Sequence, residues 1–117
     1  MRMISLTVLF LFLTTALATA EPSRVTERAA FEDIVIGREL TMIGVRLTVS
    51  ADGTIVGTAF GRDVTGQWQW QDGYFCRDLY HGSEDLGPNC QMVTYDGKRI
   101  QFTSDRGAGL SAKLKVR

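Results

Sequence analysis

The chain has 117 residues, 44% of them hydrophobic, with 13 basic and 13 acidic side chains. It is long enough for one small domain, and without a basic surplus it argues against nucleic acid as a partner. No acidic block marks a solvated tail.

The first segment reads as a leader. Met1-Arg2-Met3 carries one positive charge, Ile4 to Leu17 is almost unbroken apolar sequence, and Ala18-Thr19-Ala20 supplies a small-x-small cleavage pattern. The expected division is a signal peptide over 1–20 and a single domain over 21–117. The apolar run is shorter than the ~20 residues of a spanning helix, and no second run follows, so no stable membrane anchor is expected after cleavage. With Arg2 removed, acidic residues exceed basic ones by one. A domain of this size buries roughly 60–70% of its unfolded surface, which makes its core modest.

Residues 23–37 carry one helix signal. Thr26 is placed to cap the first turn, with Val25 and Ala30 at staple spacing around it. Ala30, Phe31, Ile34 and Val35 recur on one face, Glu27 suits the helix dipole, and Gly37 stands where a helix stops.

From Arg38 onward the pattern changes to strands and tight turns. Val45, Leu47 and Val49 alternate with polar residues, Asp52-Gly53 turns the chain, and Thr54 to Phe60 returns. After Gly61 to Asp63, a second run places Val64, Gly66, Trp68 and Trp70 on one face and Thr65, Gln67, Gln69 and Gln71 on the other. Asp72-Gly73 leads into Tyr74 to His81. A looser stretch, Gly82 to Asn89, holds the only Pro of the strand region. Cys90 to Tyr95, Asp96-Gly97 and Lys98 to Ser104 form another hairpin. Leu110, Ala112, Leu114 and Val116 then alternate to the end.

Three Asp-Gly pairs between alternating runs are hairpin signals, because such turns need positive φ. The expected fold is mainly β (α+β): one N-terminal helix, then an antiparallel meander of about seven or eight strands forming a small barrel, with a two-sheet sandwich as the alternative. Cys76 and Cys90, an even count in an exported small domain, read as a disulfide closing a loop of about 15 residues, worth roughly 3 kcal/mol. Their spacing is not C-x-x-C, and the one histidine cannot complete a zinc site.

The densest segment runs from Gly66 to Arg77. Trp68, Trp70, Gly73, Tyr74, Cys76 and Arg77, with Cys90 and then Phe102, Ser104, Asp105, Arg106, Gly107 and Gly109, give the pattern W-x-W-x-x-G-Y-x-C-R … C … F-x-S-D-R-G-x-G. In this the chain resembles a group of small exported bacterial proteins of uncharacterised function, some of which carry the label dihydrodipicolinate reductase. That enzyme needs a Gly-rich phosphate turn between a strand and a helix. Here Gly107-Ala108-Gly109 is followed by a strand pattern, so the residues give the label no support. Gly66-Gln67-Trp68 is also similar to the G-x-W of lipocalin-type barrels, but it falls mid-chain, in the fourth strand counted from the pattern.

The candidate binding residues are Trp68, Trp70, Tyr74, Arg77 and Arg106. The two tryptophans read first as core packed beside the disulfide, and alternatively as a stacking surface at a barrel mouth. If Phe75 and Leu79 face inward, so does Arg77, and a buried Arg calls for a carboxylate from Asp78 or Asp105. Arg77 and Arg106 together form a possible anion site. His81 has no nucleophile at a recognised spacing, and the calcium-loop pattern is absent around Asp78, Glu84 and Asp85. No catalytic residue, metal or cofactor is expected. The reading is a non-catalytic binding or interaction module of the bacterial envelope, periplasmic in the first instance, holding a small ligand or meeting an envelope or secreted protein. The alternatives are a structural or stress-related envelope protein, and an enzyme built on His81, Asp78 and Arg77. A cavity of at least a few hundred Å3 favours the ligand, and a filled interior favours a protein partner.

Overall fold

The computed structural model describes residues 2–5, 7–14 and 21–117. Residues 2–5 and 7–14 carry no helix or strand, and the Ala18-Thr19-Ala20 cleavage pattern lies outside the described residues. Among the described residues, no helix is long and apolar enough to cross a membrane.

The elements are β1 (Ser23–Val25), α1 (Arg28–Val35), β2 (Leu40–Met42), β3 (Val45–Val49), β4 (Thr54–Ala59), β5 (Arg62–Gln71), β6 (Tyr74–His81), β7 (Glu84–Tyr95), β8 (Arg99–Thr103) and β9 (Ser111–Val116). Strands β2 to β9 pair antiparallel in chain order, and β9 returns to β2 through Leu40 opposite Val116. The result is a closed eight-stranded barrel, not a sandwich. Strand β1 is an extra, pairing with the far half of β7 beside β6. Closure leaves the barrel strands without the free edges that invite aggregation.

Alternation decides what faces in. Val49, Ile55, Trp68, Phe75, Val93, Ile100, Phe102 and Leu114 are buried on the inner side. Two glycines let strands approach closely: a Cβ on Gly57 would overlap the carbonyl oxygen of Arg46, and one on Gly66 that of Asp78. Such positions let strands bend as a narrow barrel requires.

Helix α1 stops one end. Phe31 and Val35 are fully buried, and the Phe31 ring lies 5.0 Å from Trp70, 5.1 Å from Phe75 and 5.4 Å from Trp68. Arg28 bonds the carbonyl of Ala51 in the β3–β4 turn, and the Trp70 indole N–H donates to Thr26. The helix is therefore tied to the barrel end made by the β3–β4 and β5–β6 turns.

The helix is shorter than its sequence signal. It begins after Glu27, and neither Thr26 nor Glu27 supplies a side-chain cap. Val25 is not a staple residue: it is buried in β1, opposite Val93, while Ala30 is exposed. Pairing with β7 satisfies Ser23–Val25 better than another helical turn would. The stretch from Glu84 to Asn89 is also not loose. It forms the first half of β7, with Pro88 opposite Asp78 where the register shifts, the kind of irregular position that tolerates a residue without an N–H.

The disulfide forms as expected. Cys76 and Cys90 are register partners on β6 and β7 and are bonded. They lie on the outer face, however, because Cys76 alternates with inward Phe75 and Arg77. The tryptophans are core, but they do not pack beside the disulfide.

Candidate functional site

The half of the barrel away from the helix is incompletely filled. Leu47, Leu79, Phe102, Ala112 and Leu114 are among the walls of a cavity of about 180 Å3, into which Arg77 and Gln91 also project. This is smaller than a drug-sized pocket, which runs from roughly 300 Å3 upward. It is a little larger than the ~150 Å3 apolar cavity known to accept a benzene ring. The interior is neither filled nor roomy; it has space for one ring or one short acyl chain.

Arg77 is the only ionic side chain in that wall. It faces inward because β6 places Phe75, Arg77 and Leu79 on one side, between Trp68 on β5 and Asn89 on β7. Its Nη1 donates to the Gly87 carbonyl at 2.8 Å. Its Nε is buried with no hydrogen-bond partner among the described residues. Burial pushes the Arg77 pKa down, opposed by the charge of Asp78. Nearby, Gln91 Nε2 donates to Ser104 Oγ at 3.1 Å. The cavity wall thus combines apolar surface, a neutral amide and a cation without a carboxylate partner among the described residues.

The expected carboxylate partner is not there. Asp78 follows Arg77 on the strand and must point outward, where it is exposed. Asp105 is held elsewhere: its Oδ1 accepts from Asn89 Nδ2 at 2.8 Å, and its own N–H donates to Asn89 Oδ1 at 2.9 Å. Among the described residues, the ion pairs are Arg28–Glu32 and Arg46–Glu39, and neither reaches Arg77.

The remaining candidates are dispersed. Trp68 is 3% exposed, and its indole N–H donates to the Ser50 carbonyl at 2.9 Å. Trp70 is stacked on Phe31. Both therefore serve the helix-side core. Tyr74 is on the outer face, with the guanidinium carbons of Arg24 and Arg106 4.8 and 5.4 Å from its ring centroid. Arg106 thus reaches Tyr74, not the cavity, from a short helical turn at Asp105–Gly107 in which Asp105, Arg106 and Gly107 all have positive φ. His81 contacts the Ala59 carbonyl through Nε2 at 2.7 Å. Leu47 and Ala112 read from the sequence only as members of apolar strand faces, and Gln91 is not marked out there. The signal for Gln91 was present, since it shares the inward register of Val93.

Among the described residues, no cluster of His, Cys, Asp or Glu has the makings of a metal site. In comparisons with known proteins, no family model, curated protein or solved structure matches the chain.

Proposed function

We propose that this protein is a non-catalytic binding module of the bacterial envelope that holds one small amphipathic carboxylate inside its barrel. The observation that carries the reading is Arg77, a cation that lines an apolar cavity with no carboxylate partner among the described residues and with its Nε buried and unpaired. A buried donor left unmade costs free energy, and a carboxylate is the acceptor that best matches a guanidinium fork. The apolar body of the ligand fills the space between Leu47, Leu79, Phe102 and Leu114. The cavity volume limits that body to a single ring or a short chain. The leader pattern and the Cys76–Cys90 bond, which is compatible with export, support a periplasmic setting. The resemblance to small exported bacterial proteins points the same way.

Calorimetric titration with benzoate and with uncharged benzyl alcohol tests this. Benzoate binds more tightly by roughly ten- to a hundredfold, the worth of a hydrogen bond to a charged group, and Arg77→Leu removes that preference. Equal binding of the two compounds, or no binding of either, contradicts the proposal.

A further inference from the structure

The outer surface holds a second feature that the cavity does not use. Strand alternation places Arg46 on β3, Arg99 on β8, and Lys113 and Lys115 on β9 on the outside, and Arg117 follows at the chain end. Register brings them together: Thr41 lies opposite both Arg46 and Lys115, and Lys115 opposite Arg99. These five cations line a shallow outer groove of about 670 Å3. Carboxylates stand near them too, among them Asp63, opposite Thr58 of the groove wall. Glu39 is 3.9 Å from Arg46, and Asp96 accepts the backbone N–H groups of Lys98 and Arg99. A positive excess remains in a chain whose total charge is balanced.

The same groove runs to an apolar tip. Met42 at the end of β2 and Ile43 in the β2–β3 turn line its end, and Ile43 is 92% exposed. Beside it, Phe60 of the β4–β5 turn leans its ring on Gly44 and donates its N–H to the Gly44 carbonyl, yet it remains 72% exposed. Phe60 also has φ 51°, followed by Gly61 at 78°. The β5–β6 turn has the same shape, φ 52° and 83°, but is made by Asp72-Gly73. Turns of this kind favour Asn or Asp at the first position, and a bulky side chain at positive φ is an outlier. Phe60 therefore carries backbone strain without the compensation of burial, a pattern that points to function.

We infer that this face docks on a bilayer surface carrying anionic lipid. Ile43 and Phe60 enter the interfacial layer, and the cations of the groove meet the lipid phosphates. An acidic polymer would be served by the cations alone; the exposed apolar pair favours a lipid surface.

The test uses protein recovered from the export compartment and cosedimented with vesicles of phosphatidylglycerol and phosphatidylcholine, or of phosphatidylcholine alone. Binding is expected to the anionic vesicles and to fall at ~1 M salt, where the Debye length is about 3 Å. The double variant Lys113→Gln/Lys115→Gln binds roughly 25-fold more weakly, at about fivefold per cation near an anionic surface. Phe60→Asn binds at least roughly tenfold more weakly while its melting temperature stays equal or rises, a pairing that a merely structural role would not give. Equal binding to both vesicle types overturns the inference, as does wild-type binding by Phe60→Asn. Binding to heparin that matches vesicle binding and is unaffected by Ile43→Ser assigns the face to an acidic polymer and also overturns it.

Discussion

Replacing Arg77 with leucine separates a ligand-binding arginine from a structural one. A buried ion pair broken by removal of one partner costs about 3–5 kcal/mol. Among the described residues Arg77 has no such partner, and its one side-chain bond runs from Nη1 to the Gly87 carbonyl. Losing a charge-assisted bond costs about 1.5–3 kcal/mol. Gly87 is only partly buried, so water replaces much of that bond and the lower figure applies. Against it stands relief of the unpartnered Nε, worth about 1–3 kcal/mol. Leucine is shorter than arginine, so it leaves more space while replacing a buried cation with apolar carbon. The contributions offset one another, and Arg77→Leu is expected to change stability by less than about 1 kcal/mol, a melting shift within roughly 4–8 °C for a domain of this size. Urea unfolding followed by tryptophan fluorescence measures it, with an unchanged m-value confirming that the unfolding reaction is the same. A loss of about 3 kcal/mol or more would refute the argument, since the guanidinium would then be holding the barrel together.

Trp68→Ala removes a side chain packed against Phe31 and Phe75 and bonded to Ser50, and a loss of about 3–5 kcal/mol in the same unfolding assay is expected; a loss near zero would contradict its place in the core. Cys76→Ser, with Cys90 left unpaired, lowers stability by roughly 3 kcal/mol under oxidising conditions, and an unchanged melting temperature would show that the bond is absent. Asp52 and Asp96 have pKa values below the ordinary 3.8, Asp52 through the Thr54 hydroxyl and N–H, Asp96 through the N–H groups of Arg99 and Lys98. Their stabilisation is present above the unfolded-state pKa and is lost as pH falls through the folded-state values. The difference between wild type and Asp96→Asn therefore holds steady near neutrality and shrinks below about pH 4. Melting temperatures across that range check the sign, and a difference that grows on acidification would reverse it.

Much of the barrel was legible because its turns are local. Asp52-Gly53, Asp72-Gly73 and Asp96-Gly97 each lie between paired strands, and the period of two put Trp68 and Phe75 inside. What escaped was fixed by distant partners. Ser23–Val25 reads as the start of a helix until β7 is there to pair with it. Glu84–Asn89 is polar and contains Gly and Pro, so its extended form rests on β6, not on propensity. Ring closure depends on Leu40 meeting Val116 across almost the whole domain. At the site, alternation placed Arg77 inward, and the same rule already excluded Asp78 as its partner. The bond from Asp105 to Asn89 had no such signal, because it depends on the left-handed turn after β8. The cavity could not be read either, since it is the volume that packed side chains leave over.

The ligand proposed for the barrel is a small carboxylate held against Arg77. Native mass spectrometry of the protein expressed with residues 1–20 in place, repeated after incubation with benzoate, tests it most directly. One added small acid per chain is expected, retained under gentle ionisation and absent from Arg77→Leu. A chain that stays at its apo mass in excess benzoate, or an adduct that Arg77→Leu keeps, would contradict it.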